Sequence, residues 1–473
     1  MWRLLQFGSV AVAIPFFQNV FAQDLRNVTE PVIPQACSTL AAALSSQKGK
    51  PGEHGLGERG LREEDERKLD TTRIQQALDT CPPGRAVELQ SGAGNAFLSG
   101  PLDLRKGVTL LVDAGVTLFA SRDPRVFDTA SNGGGAGRCG TVDQAGRGCR
   151  ALINGNQVDG AGVMGDGVID GRGGEKLLGQ QVTQSVSWWD LAEKARAGGS
   201  QNNFRLIALS HCDNFTLYRI TLKNSPNFHV AYSSGSGFTV WGVRIDAPKN
   251  ARNTDGIDPG NSTNVTIAHS FIRAGDDNVA IKAGAGNPTT HMTIAHNHFY
   301  YGHGMSIGSE TNGGASAIRV TDLSIDGADN GIRIKSNSAR GGLVRDISYE
   351  DVCIRNTKNP ILLDTHYSGN GYTESGERIP VFQDIVLRNV RVSGMGKITL
   401  SGFDAAHRLG LTFDGVVLNP VSSFQITAAH MDVKLGPGPV NFVPSGEDVH
   451  VMGSAGKGPG GACEEKFAPY PAN

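Results

Sequence analysis

Aromatic residues make up only 7% of this 473-residue chain and hydrophobic residues only 39%, which argues against a bulky helix-packed core and for thin, repetitive packing. The formal net charge is only -2. No global basic field therefore exists to hold nucleic acid or an anionic membrane surface, and a polyanionic ligand would need local cations. No cysteine pair has the Cys-x-x-Cys spacing of a zinc site. No phosphate-binding loop occurs, and Gly165, Gly167 and Gly171 around Val168-Ile169-Asp170 miss the dinucleotide-binding spacing and read as turn glycines. Beyond the first 22 residues no segment is apolar enough over a sufficient length to span a membrane.

Residues 1–22 carry Arg3, then a largely apolar stretch ending Val20-Phe21-Ala22, which suits a cleaved signal peptide. Gln6, Pro15, Gln18 and Asn19 interrupt it too often for a membrane anchor. The mature protein is thus expected outside the cell and free of the membrane, with a monomer as the default. Export permits disulfides. Of the seven cysteines, Cys139 and Cys149 lie close enough in a Gly-rich loop to staple it, and Cys37 can pin the chain near Cys81; Cys212, Cys353 and Cys463 are left without assigned partners.

Segment 23–69 includes Gln47 to Lys68, rich in Gly and charge, with the run Arg62-Glu-Glu-Asp-Glu-Arg67 and no apolar periodicity; it reads as an exposed insertion. Asp70 or Thr71 then caps a short helix with Ile74, Ala77 and Leu78 on one face, suited to plugging the end of a solenoid. A second helix is expected over Trp188 to Arg196, with Ser187 and Asp190 at capping-box spacing and its two tryptophans assigned to packing.

Glycine is abundant, 63 residues, and from about 205 to 415 short strands recur between Asn, Asp and Gly clusters. Asn214-Phe-Thr-Leu, Gly237-Phe-Thr-Val, Asn264-Val-Thr-Ile and His291-Met-Thr-Ile are visible copies, with a looser one near Arg319, at separations of 23 to 28 residues. That period signals a solenoid, and short strands in place of helix pairs make each repeat one coil of a parallel β-helix. The fixed Leu-x-x-Leu-x-Leu spacing of leucine-rich repeats is absent. The fold class is therefore all-β, a single β-helix domain over 70–452 with a short N-terminal capping helix, followed by a Gly/Pro-rich tail at 453–473.

Acidic residues bunch at Asn253-Thr-Asp-Gly-Ile-Asp258 and Gly275-Asp-Asp-Asn278, placing Asp255 21 residues before Asp276 and 22 before Asp277, about one coil. His303 follows in Gly302-His-Gly304, and Arg333-Ile-Lys335 comes one coil later, its two cations on the same side of a strand. Any lone Asp here would read as a turn cap or calcium ligand. Three carboxylates in register with a His and a cation pair instead suit glycosidic cleavage, because crowded carboxylates raise one another's pKa and divide into a protonated acid and an ionised base. His291, His296 and His298 are assigned structural roles; Lys282 reads equally as a cleft cation or a structural one.

These four motifs, in this order, resemble the signature of the polygalacturonase family, glycoside hydrolase family 28, and are most similar to bacterial endopolygalacturonases. The likeness extends through Ser187-Trp-Trp, Asn224-Ser-Pro-Asn-Phe-His and Asp364-Thr-His-Tyr, over roughly residues 70 to 430. It implies a right-handed parallel β-helix, hydrolysis of polygalacturonate with inversion, and neither metal nor organic cofactor. By motif it implies Asp276 as general acid, Asp255 and Asp277 as the pair activating water, and His303 as tuning the acid. It further implies Arg333 and Lys335 as holding a galacturonate carboxylate, Tyr367 as binding substrate, and Asn253 as orienting sugar or water. Exo-acting enzymes and rhamnogalacturonan hydrolases are the alternatives within that family. Pectate lyases and non-catalytic carbohydrate-binding solenoids are the alternatives outside it.

Overall fold

The repeat spacing appears in space as hydrogen-bonded register. In a computed structural model, which describes residues 23–48, 59–129, 137–179, 186–368 and 376–472, the repeated threonines Thr216, Thr239, Thr266 and Thr293 lie in one column. Beside them Leu217, Val240, Ile267, Ile294, Val320, Tyr349, Leu387 and Phe413 form a second column. All eight are fully buried. Each of the seven hydrocarbon side chains among them contributes about 1.5–3 kcal/mol by leaving water.

Each repeat begins with a residue that can turn left-handed. Asn214, Gly237, Asn264, His291 and Ala317 have φ of 53°, 89°, 56°, 55° and 57°, a conformation that glycine and asparagine tolerate best. A second turn column at Arg219, Gly242, His269 and His296 has φ of 62°, 64°, 54° and 57°. His269 and His296 stack there at 4.9 Å, His296 bonds Asp322 at 2.7 Å, and His298 bonds Ser324 at 2.7 Å. These contacts are structural.

Three parallel ladders result, one along each side of the coil, joining 31 strands among the described residues. This is the expected right-handed parallel β-helix. One ladder runs through Val230–Ser233, Ile257–Gly260, Val279–Ile281, Met305–Gly308, Asn330–Lys335 and Asn359–Asp364. It carries the site. Helix Thr71–Thr80 buries Ile74, Ala77 and Leu78 against the core. Asp70 occupies its N-cap position, but its carboxylate accepts from Leu98 N–H at 3.1 Å and pairs with Arg73 instead of capping the helix.

The expected signal peptide, 1–22, and positions 49–58 of the charged insertion lie outside the described residues. The described part of that insertion departs from the exposed segment expected. Gln47–Lys48 pairs antiparallel with Arg59–Gly60, and Glu66 is buried against Arg172, itself 1% exposed. A run of charge that reads as solvated is thus partly internal, because a buried guanidinium needs a carboxylate partner. The solenoid also starts before residue 70, since Ala36–Ala41 pairs in parallel with Arg85–Gln90. Disulfides join Cys37 to Cys81 and Cys139 to Cys149 as expected. A third, Cys353–Cys463, anchors the tail, and Cys212 is a buried free thiol.

Candidate active site

Strand alternation fixes what faces outward on the site ladder. In Asn330–Lys335, Ile332 and Ile334 enter the core and leave Arg333 and Lys335 on the outer face. The turns entering the neighbouring strands carry the carboxylates, stitched across coils by backbone bonds. Gly256 N–H donates to Asp277 O at 2.8 Å, and His303 N–H donates to Asp276 O at 2.8 Å. The Gly302-His-Gly304 motif has a steric origin. Gly302 and Gly304 have φ of 125° and 73°, and a Cβ on Gly304 would stand 2.2 Å from Asn330 O.

All eight expected residues meet at one cleft of about 1220 Å³. Asp277, 1% exposed, accepts from Ser306 Oγ at 2.7 Å and Arg333 Nη1 at 3.1 Å on one oxygen, and from Lys335 Nζ at 3.0 Å on the other. His303 Nδ1 lies 2.9 Å from Asp276 Oδ1, and Asn253 Nδ2 donates to Asp276 Oδ2 at 3.4 Å. Arg333 and Lys335 each stand 5.4 Å from the centre of the Tyr367 ring, within cation-π range.

The charges sort into two groups. Burial, then the charges of Asp276 and Asp258, hold Asp255 well above the usual carboxylate range. Burial also pushes Asp258 up to about 7, against the pull of Lys282. For Asp276, burial is outweighed by the hydrogen bond and charge of His303, and its pKa falls. Asp277 falls further, because Lys335 and Arg333 overcome its burial. His303 rises in turn, burial being outweighed by its bond to Asp276. The cleft thus biases Asp255, Asp258 and His303 toward holding a proton and Asp276 and Asp277 toward negative charge.

Three features were not legible from the sequence. Asp258 is 5% exposed, neither oxygen has a hydrogen-bond partner among the described residues, and Lys282 Nζ lies 4.0 Å away. Strand alternation after Ile257 was the available signal. Lys282, which the sequence left open, lines the cleft with Glu310 and Arg340. Trp189, assigned to packing, also lines the cleft while its Nε1–H donates to Ser225 O at 3.0 Å; its neighbour Trp188 is the buried one. The capping box of their helix, Trp188–Lys194, is formed. Asp276, Asp277 and His303 offer donor atoms within 4.8 Å of one another, but both Asp277 oxygens already carry cationic partners, a poor donor set for a further cation.

Comparison with known proteins agrees with this geometry. The family model described as "Glycosyl hydrolases family 28" matches residues 81–435. A polygalacturonase of Ralstonia nicotianae is 40% identical over 94% of this chain and 92% of its own length. An endo-polygalacturonase of Pectobacterium carotovorum subsp. carotovorum is 42% identical over 87% and 94%. The solved polygalacturonase of Erwinia carotovora ssp. carotovora superposes with a TM-score of 0.76 at 41% identity, covering 87% of this chain and all of that one. Fold, site geometry and these relatives agree that the chain is a glycoside hydrolase and belongs to the glycosyl hydrolases of family 28.

Proposed function

We propose that the protein is a secreted, monomeric endopolygalacturonase that hydrolyses α-1,4 bonds of de-esterified homogalacturonan with inversion. One observation carries this reading: consecutive coils bring Asp255, Asp276, Asp277 and His303 onto the cleft beside the cation pair Arg333 and Lys335. Arg333 and Lys335, with Tyr367 across from them, bind a galacturonate carboxylate next to the scissile bond. Asn253 orients sugar or water.

In this reading the His303–Asp276 pair carries one proton, and Asp276 delivers it to the glycosidic oxygen as the C1–O bond breaks. Water attacks C1 from the opposite face. Asp255 and Asp277 together orient it and take its proton as the new C1–O bond forms, and exchange with solvent resets the pair. No metal or organic cofactor takes part. Relatives described as endo-polygalacturonases, 42% identical over 87% of the chain, support endo action, as do three disulfides for an oxidising compartment.

Polygalacturonate digestion tests the reading through product length over time. Mixed oligomers should appear early, with new reducing ends, no ultraviolet-absorbing unsaturated ends and no loss of rate with chelator. Monomer or dimer alone would mean exo action. Absorbing, chelator-sensitive products would mean a lyase.

A further inference from the structure

The segment beyond the last core strand, outside the region 81–435 that matches the family model, is not a loose end. From Cys463, bonded to Cys353, it runs along the outer face of one ladder toward the catalytic coils. Phe467 lies under the Arg355 guanidinium at 4.1 Å, Lys466 pairs with Asp322, and Ala468 O accepts from Tyr300 Oη at 3.0 Å. Tyr470 then packs edge-on to Tyr300 at 5.3 Å, and its hydroxyl donates to Ile245 O at 3.1 Å.

Anchors at both ends make this segment a strap. Cys353 and Ile245 are four strand steps apart on that ladder, about 19 Å at the usual inter-strand spacing. The seven residue steps from Cys463 to Tyr470 could reach at most about 25 Å if fully extended, and they begin with the 3-10 turn Glu464–Lys466. The disulfide at one end and the Tyr300 and Ile245 contacts at the other together fix where the Tyr470 ring stands.

That ring lies against a cleft residue. The Arg273 guanidinium sits 4.0 Å from the Tyr470 centroid, and its Nε and Nη2 donate to Asp246 at 2.6 and 2.9 Å. Arg273, Asp246 and Lys223 all line the cleft, with Lys223 Nζ 3.8 Å from Asp246. Lys223 also faces Asp170 on the neighbouring coil, so the cation open to a ligand here is Arg273. Two of Arg273's five N–H groups are used, and its side chain is 32% exposed.

We propose that the strap Cys463–Tyr470 completes the cleft wall, with Tyr470 as a positioning residue that holds Arg273, beside Lys223, to bind the carboxylate of a galacturonate unit away from the scissile bond. The proposal rests on the substrate class given above. Stacking fixes the guanidinium plane, and an arginine already held in place loses less entropy on binding a carboxylate.

Calorimetric binding of hexagalacturonate in an Asp276→Asn background tests it. Tyr470→Ala should weaken binding roughly fivefold, as should Arg273→Gln, and the double variant should be no weaker than either. Tyr470→Phe, which keeps the ring, should bind within about twofold of the parent. With Asp276 restored, Tyr470→Ala should raise KM and spare kcat. Unchanged binding in Tyr470→Ala, additive losses in the double variant, or a Tyr470→Phe protein as weak as Tyr470→Ala would each overturn the proposal. Tyr470→Leu preserves apolar volume without the ring and should match Tyr470→Ala. An unsubstituted protein that binds hexagalacturonate without cutting it would overturn the proposed hydrolysis, and the binding comparisons would still decide the strap.

Discussion

Replacing Lys335 by Gln should destabilise the protein through the charge it strands. Lys335 Nζ is 3.0 Å from Asp277 Oδ2, with side chains 7% and 1% exposed. At an effective dielectric near 20, unit charges that close attract by roughly 5.5 kcal/mol. Burying the ammonium offsets part of that, and Arg333 stays 3.1 Å from the other oxygen. The expected loss is about 3 kcal/mol at pH 7, the lower end for breaking a buried pair. Adding Asp277→Asn removes the stranded charge and should return about 1 kcal/mol or more. The pH dependence has a definite sign. Asp277 is held below its ordinary value of 3.8, so its ion pairs stabilise above that pH and stop doing so as pH falls through the folded-state value. The variant's Asp277 protonates at higher pH than the parent's, so the stability gap should close under acid conditions. Urea unfolding of parent, single and double variants at pH 7 and pH 3 measures all of this. A double variant less stable than Lys335→Gln, or a gap independent of pH, would refute the reasoning.

Asp276→Asn should lower kcat on polygalacturonate at least about a hundredfold while leaving its binding near the parent value; comparable residual turnover would remove Asp276 as the acid. His303→Asn should move the alkaline limb of the kcat profile to lower pH, because the pair's proton then rests on Asp276 alone and no longer on an imidazole whose pKa is raised; an unmoved limb would detach His303 from the proton inventory. Glu66→Gln should cost about 3 kcal/mol of unfolding free energy, since Glu66 and Arg172 are 2% and 1% exposed; a loss below about 1 kcal/mol would mean that the network around Arg122 and Glu175 compensates.

The architecture was legible because a solenoid repeats its reasons. The threonine columns and left-handed Asn and Gly starts recur at each coil, so a period in the sequence becomes a stack in space. Asp255, Asp276, Asp277, His303, Arg333 and Lys335 stood out because coil spacing aligned them and no packing requirement accounted for them. Asp258 did not stand out, since a single Asp in a strand ordinarily faces solvent. Only the pairing of Ile257 with Val279 and the bridge from Gly260 to Lys282 place it against a half-buried cation. Distance along the chain hid the rest. Glu66 meets Arg172 106 positions away and Cys353 meets Cys463 110 away, and no local pattern announces either contact.

Stacking on one ladder also bears on stereochemistry. Asp276, Asp277 and His303 present atoms within 4.8 Å of one another, and a general spacing rule reads carboxylates about 5–5.5 Å apart as a retaining pair. Retention needs a carboxylate free to attack C1. Asp277 is ionised, but Ser306, Arg333 and Lys335 occupy its oxygens and hold its pKa far down, which makes it a poor nucleophile. Asp255 is biased toward its neutral form by burial and its acidic neighbours, and a protonated carboxyl is a poorer nucleophile still. A carboxylate so restrained can still orient a water and take its proton late, once attack on C1 has made that water acidic, so close spacing here is a feature of the coil and does not identify a covalent mechanism. The first product formed from the α-linked chain should therefore carry a β-anomeric reducing end in proton magnetic resonance taken before mutarotation. An initial α-anomer would return the nucleophile's role to one of these aspartates.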